Sequence, residues 1–114
     1  MPYIETKTNR EISPAQELEL KERLGKAIET IPGKSESWLM LNFEDHCRLY
    51  FQGDGKAPAA FVAVKLFGGA DRAAYENMTA AVTEILQNVL EIDPARIYVQ
   101  YTACQDWGWN GGNF

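Results

Sequence analysis

One plan is laid down twice along this chain at the same spacing, and few folds can accept that. In the first copy, the alternating run Tyr3-Ile4-Glu5-Thr6-Lys7-Thr8 reads as a strand. A helix opens at Ser13-Pro14, with serine as N-cap, proline at the first helical position and Glu17 in the first turn. Leu20, Leu24, Ala27, Ile28 and Ile31 share one face of it, and Pro32-Gly33 ends it. Trp38 to Phe43 reads as the second strand, followed by a short one from Arg48 to Gln52. The second copy starts with the apolar strand Ala60 to Phe67, broken by Gly68-Gly69. Asp71 caps a helix whose apolar face is Tyr75, Met78, Val82, Ile85 and Val89, and Ile97 to Tyr101 is the last long strand. Ile4 lies 35 positions before Leu39, and Val64 lies 35 before Val99.

The fold expected is α+β: two β-α-β units forming one four-stranded mixed sheet with two helices on one face, a single domain over residues 1–114. Each helix has a single apolar stripe, so both belong on the same side of the sheet. Phe61-Val62-Ala63-Val64 and Trp38-Leu39-Met40-Leu41 are apolar at successive positions, which reads as burial on both faces. One chain of this length has no third layer, so the expectation is cover by further subunits, through sheet face and sheet edge.

Pro2 has a chemistry of its own. The second residue is small enough for methionine aminopeptidase to remove Met1, which would leave a free prolyl nitrogen, a secondary amine, at the head of the first strand. An α-amino group starts from a pKa of roughly 7.7–8.0. Apolar burial and a nearby cation both lower it, into the range where a general base works at neutral pH.

Composition narrows the classes. The net charge is −5 with no basic block, which argues against nucleic acid as a partner. No apolar run approaches the ~20 residues of a membrane span, and no leader pattern precedes Tyr3-Ile4, so a cytoplasmic chain is expected, without a signal peptide. Cys47 and Cys104 are far apart and form no metal-binding spacing with the single histidine, His46. Two free thiols in a reducing compartment are expected, and no metal.

Met1-Pro2 opening a strand, Gly33-Lys34 ahead of the second, Val64-Lys65-Leu66-Phe67-Gly68-Gly69 ahead of the second helix, Asp93-Pro94-Ala95-Arg96-Ile97-Tyr98 entering the last strand and Gly108-Trp109-Asn110 near the end stand in order along the whole length. In this the chain resembles the tautomerase superfamily and, within it, the macrophage migration inhibitory factor family. The resemblance implies a trimeric β-α-β barrel with three sites at the subunit interfaces. It makes Pro2 the general base of keto–enol tautomerisation and Lys34 the cation that holds a substrate carboxylate and keeps the prolyl nitrogen neutral. Val64 falls where the backbone of an apolar residue contacts substrate, and Tyr98 where a neighbouring subunit supplies a tyrosine. Trp38, Trp109 and Phe114 fall where aromatics rim the pocket.

Two positions depart from the family pattern. Gln100 stands in place of an asparagine, which displaces the hydrogen bond to a ring substituent. Lys56-Ala57-Pro58-Ala59 stands where some animal members carry Cys-x-x-Cys, so thiol oxidoreductase chemistry by that route is absent. The glycine-rich tail, Trp107 to Phe114, suggests a loosely held Phe114. The implied activity is cofactor-independent tautomerisation of phenylpyruvate-like aromatic α-keto acids, or of dopachrome-type substrates. The alternative is a protein-binding, cytokine-like module in which that activity is vestigial. A protein receptor and an unconventional route out of the cell are left open by the sequence.

Overall fold

The computed structural model describes residues Met1–Phe114. Strand β1 (Pro2–Thr8) leads into helix α1 (Pro14–Ala27), then β2 (Met40–Glu44), β3 (Ala60–Phe67), helix α2 (Arg72–Leu90) and β4 (Ile97–Cys104). A small hairpin of β5 (Gly108–Trp109) and β6 (Gly112–Asn113) closes the chain. The four long strands form one sheet in the order β2-β1-β3-β4. The outer pairs are parallel and the central pair, β1 with β3, is antiparallel.

The repeat seen in the sequence is a symmetry of this sheet. Ile4 pairs with Leu41, Val64 pairs with Tyr101, and Ile4 pairs with Val64 across the centre. Both parallel pairings therefore join residues 37 positions apart, two more than the sequence spacing suggested. A shift of two leaves every side chain on its expected face, because strand side chains alternate with a period of two.

Both helices begin where local chemistry says they must. The Ser13 hydroxyl accepts the Gln16 backbone N–H, and the Gln16 side chain accepts that of Ser13, satisfying two donors that a helix start leaves free. Asp71 accepts the Ala74 N–H in the same way. The apolar stripes then lie against one side of the sheet. Leu20, Leu24, Ile28 and Ile31 from the first crossover, and Met78, Val82, Leu86 and Leu90 from the second, meet Ile4, Val62, Val64 and Leu66 with no solvent exposure. Each such side chain contributes about 1.5–3 kcal/mol on leaving water.

Three expectations change. Trp38 is not in a strand: Glu36–Trp38 form a short 3-10 turn, closed by the Leu39 N–H donating to the Glu36 carbonyl at 3.1 Å, and β2 starts two residues later. The Glu36 side chain at the start of this turn fills the space that a Cβ at Gly25 on α1 would need. Arg48 to Gln52 makes no ladder, only a bridge between Phe51 and Asp54, since a strand needs a neighbour and this segment has none within the chain. Finally, the face of the sheet turned away from the helices is amphipathic rather than apolar. Its positions along β1 are Tyr3, Glu5 and Lys7, and Lys7 pairs with Glu5 at 3.6 Å and Glu44 at 4.0 Å. Phe61, Met40 and Tyr98 on this face are exposed, while its other apolar positions on β3, Ala63 and Phe67, are partly covered.

Candidate active site

The start of β1 is pinned to the end of β3. The Phe67 backbone N–H donates to the Met1 carbonyl at 3.0 Å, and the Pro2 ring is buried beside it. With Met1 attached, the Pro2 nitrogen is a tertiary amide and has no basicity; the free amine is one residue further out.

Lys34 is brought here by its turn. Gly33, with φ +80°, takes a left-handed conformation that side chains disfavour. Beyond it the Lys34 ammonium donates to the Phe67 carbonyl at 2.8 Å. Burial, and secondly repulsion from Lys34, push the amine at the start of the chain below its ordinary value. The two influences expected to tune a base at this spot are both present, in that order of size.

The aromatic wall is assembled by the hairpin. Asn110 and Gly111 both have positive φ, 51° and 83°, the turn that matches the twist of two antiparallel strands. This is the use the chain makes of its glycine-rich tail. Phe114 is not left loose, for its N–H donates to the Trp107 carbonyl at 3.1 Å. The Asn-Gly pair signals such a hairpin in the sequence itself. Trp109 is carried edge-on against Trp38, ring centres 5.0 Å apart, and Phe114 packs on both Trp109 and Phe67 at 6.2 and 5.5 Å. Trp38, Trp109 and Phe114 nonetheless remain about half exposed.

A cavity of about 650 Å³ opens between these elements. Met1, Pro2, Trp38 and Trp109 line it, together with Tyr3, Met40, Lys65 and Trp107, which sequence reasoning did not single out. The signal was available for Tyr3 and Lys65, since alternation along β1 and β3 places them opposite the core residues Ile4 and Val64. A larger hollow of about 820 Å³, between α1 and the β2 edge, contains Glu17, Lys21 and Glu36 but lies away from Pro2, and is not the site.

Lys34 and Phe114 reach the site through Phe67 without lining the cavity itself, and three expected residues stand elsewhere within one chain. Val64 is wholly buried against the helices, and the β3 backbone N–H that meets the start of β1 belongs to Phe67. Tyr98 pairs in register with Phe61, at the opposite end of β3 from Leu66, the partner of Pro2. It is exposed and packs on Phe51 at 5.2 Å. Gln100, two positions further on, is exposed on the open face and outside the cavity.

A family model described as macrophage migration inhibitory factor (MIF) matches residues 1–114. Among solved structures, MIF2 of Leishmania major is 31% identical with a TM-score of 0.93, the match covering 100% of this chain and 97% of that one. The macrophage migration inhibitory factor homologue of Prochlorococcus marinus is 25% identical with a TM-score of 0.86, covering 98% of each chain. The factor from Trichinella spiralis shares the fold at 22% identity and a TM-score of 0.82, covering 98% of this chain and 99% of that one. No curated protein matches the chain closely enough to count as a relative.

Proposed function

The chain belongs to the macrophage migration inhibitory factor family of the tautomerase superfamily, and we propose that it is a keto–enol tautomerase of aromatic α-keto acids with the Pro2 nitrogen as its base. The observation that carries this reading is the Lys34 ammonium, held by the Phe67 carbonyl at the head of β1 beside a wall of exposed aromatic rings.

Loss of Met1 would bare two groups together. The prolyl nitrogen becomes a secondary amine, and the Phe67 N–H loses the carbonyl it now serves. An oxygen of the substrate, in the place of the Met1 carbonyl oxygen, would accept that N–H while Lys34 draws its carboxylate. The prolyl nitrogen then takes the C–H proton made acidic by the adjacent carbonyl, leaving an enolate, and delivers it to the enolate oxygen to give the enol. An aryl ring is accommodated by Trp38 and Trp109, with Phe114 stacked behind Trp109. Burying such a ring is worth a few kcal/mol, so phenylpyruvates should outrun short aliphatic α-keto acids. A displaced hydrogen bond from Gln100 nets only about 0.5–1.5 kcal/mol, so a 4-hydroxyl should add little.

The working form proposed is a homotrimer. Both outer strands, β2 and β4, have an unpaired edge, and Met40, Tyr50, Phe61 and Tyr98 are exposed in the single chain. Tyr98 and Gln100 could then enter the site only from a neighbour. Sedimentation at micromolar concentration should give three times 12.8 kDa, and a stable monomer would overturn the assembly. The reaction is tested with Pro2→Gly in Met1-free protein. A primary amine replaces the secondary one only in part, so kcat/KM for phenylpyruvate should fall at least about tenfold, short of the ~10²–10⁴ that a general base contributes in full. Unchanged kinetics would place the chemistry on another group.

A further inference from the structure

Lys65 is the only charged side chain among the residues lining the Pro2 cavity. It forms no ion pair and no hydrogen bond; its ammonium lies 5.9 Å from the centre of the Tyr3 ring. The carboxylate nearest in the pattern of the sheet, Glu5, is already engaged, accepting the Tyr3 hydroxyl at 2.9 Å and pairing with Lys7 at 3.6 Å. Glu44, the next along that face, pairs with Lys7 as well. Lys65 adds only a minor share, behind the Tyr3 hydroxyl and Lys7, to holding the Glu5 carboxyl below its usual range. With no direct partner, its ammonium faces a cavity whose other side chains are aromatic, apolar or neutral.

We propose that Lys65 is a second anion anchor, and that the preferred ligand is an aryl α-keto acid carrying a second carboxylate on its ring. Lys34 is fixed at the carbonyl of Phe67. Lys65 leaves the same strand two residues earlier, about 7 Å along it at the usual strand rise. Lys34 therefore acts at the Phe67 end of β3, outside the lining of the cavity, whereas Lys65 stands within that lining. A ligand with its keto-acid end beside Pro2 and Lys34, and its ring against Trp38 and Trp109, directs a ring substituent away from Lys34 and toward the open face where Lys65 stands. A neutral substituent would leave that cation unpaired. A carboxylate there forms an ion pair beside apolar walls, where its partner is less screened than on an open surface.

The reaction in this inference rests on the tautomerase reading, but the binding does not, and the test separates them. Phenylacetate and 4-carboxyphenylacetate, which lack the keto group, are titrated against Met1-free protein by calorimetry at low salt. Phenylpyruvate and 4-carboxyphenylpyruvate are compared for turnover in parallel. The dicarboxylate should bind at least about tenfold tighter than the monocarboxylate, in line with one charge-assisted hydrogen bond. Lys65→Met should bring that preference to within about threefold, Lys65→Arg should retain most of it, and added salt should erode it. Equal binding of the two ligands by the wild-type protein, or a preference that survives Lys65→Met, would overturn the anchor whatever the turnover. An intact binding preference in a Met1-free protein that enolises neither α-keto acid would leave the anchor standing and bring down the tautomerase reading instead.

Discussion

In the first β-α-β unit, the turn ahead of β2 carries Lys34; in the second, the turn ahead of β4 carries Arg96. The two turns occupy equivalent places in a sheet whose halves repeat. Arg96 is almost consumed by its surroundings. Its guanidinium donates to the carbonyls of Phe51, Asp54, Ala57 and Pro58 at 3.0–3.3 Å, pairs with Asp54 at 3.7 Å, and is 13% exposed. Lys34 donates to one carbonyl, that of Phe67. The difference comes from what surrounds each cation. β3 is approached by the loop from Asp45 to Ala59, whose backbone oxygens saturate the cation. Against Lys34 stands a single strand-end carbonyl, that of Phe67, with no such loop wrapped around the ammonium. One backbone symmetry yields a structural clamp at one end and a candidate reactive site at the other.

The largest expected effect comes from making the first end resemble the second. A residue that cannot be cleaved ahead of Pro2 keeps its nitrogen an amide and leaves the Phe67 N–H occupied. Tautomerase kcat/KM should drop by the ~10²–10⁴ typical of a lost general base. Intact mass paired with a phenylpyruvate assay checks this, and an active capped chain would erase the distinction between the two ends.

Next in size is the clamp. Arg96→Ala strips partners from four carbonyls at once, and hydrogen bonds to charged groups are worth about 1.5–3 kcal/mol. The urea midpoint should fall by an amount equivalent to about 2–3 kcal/mol at unchanged slope. If it does not move, the loop is held by something other than Arg96.

Lys34→Ala should act on chemistry instead. KM for a carboxylate substrate should rise about tenfold, the loss of one charge-assisted hydrogen bond. The pH profile supplies the sign. With Met1 in place, burial and then the Lys34 charge disfavour the protonated Met1 amine. The Pro2 nitrogen, one residue further in, is expected to meet the same two influences once Met1 is gone. The base therefore loses its proton at lower pH than an ordinary amine, and kcat/KM should climb to a plateau with an apparent pKa under ~7.7–8.0. Removing Lys34 leaves burial alone, so the midpoint should move up. A variant with neither change would make Lys34 an ordinary solvated turn residue.

What could be read beforehand was whatever local spacing encodes. Ser13-Pro14 and Asp71 start helices because the capping chemistry is contained in a few neighbouring residues. Ala60 to Phe67 is the observed β3 to the residue, because alternation with a clean glycine break needs no partner to be seen. Trp38 falls outside its expected strand for the opposite reason: its 3-10 turn packs Glu36 against Gly25 of α1, a contact between segments that no spacing reveals. Arg48 to Gln52 has strand composition but no strand beside it.

The candidate site divides along the same line. The sequence alone determined its residue types, an N-terminal proline, a lysine after a glycine turn and a set of aromatics, because the chemistry resides in the side chains themselves. Tertiary structure alone decided which of them meet. It brought Lys34 to Phe67, folded the Asn110-Gly111 hairpin so that Trp109 reaches Trp38, turned Lys65 into the same cavity and left Tyr98 and Gln100 outside it. Those outcomes depend on pairings between distant segments, Pro2 with Leu66 and Phe61 with Tyr98, whose register is set by the packing of the whole sheet against two helices.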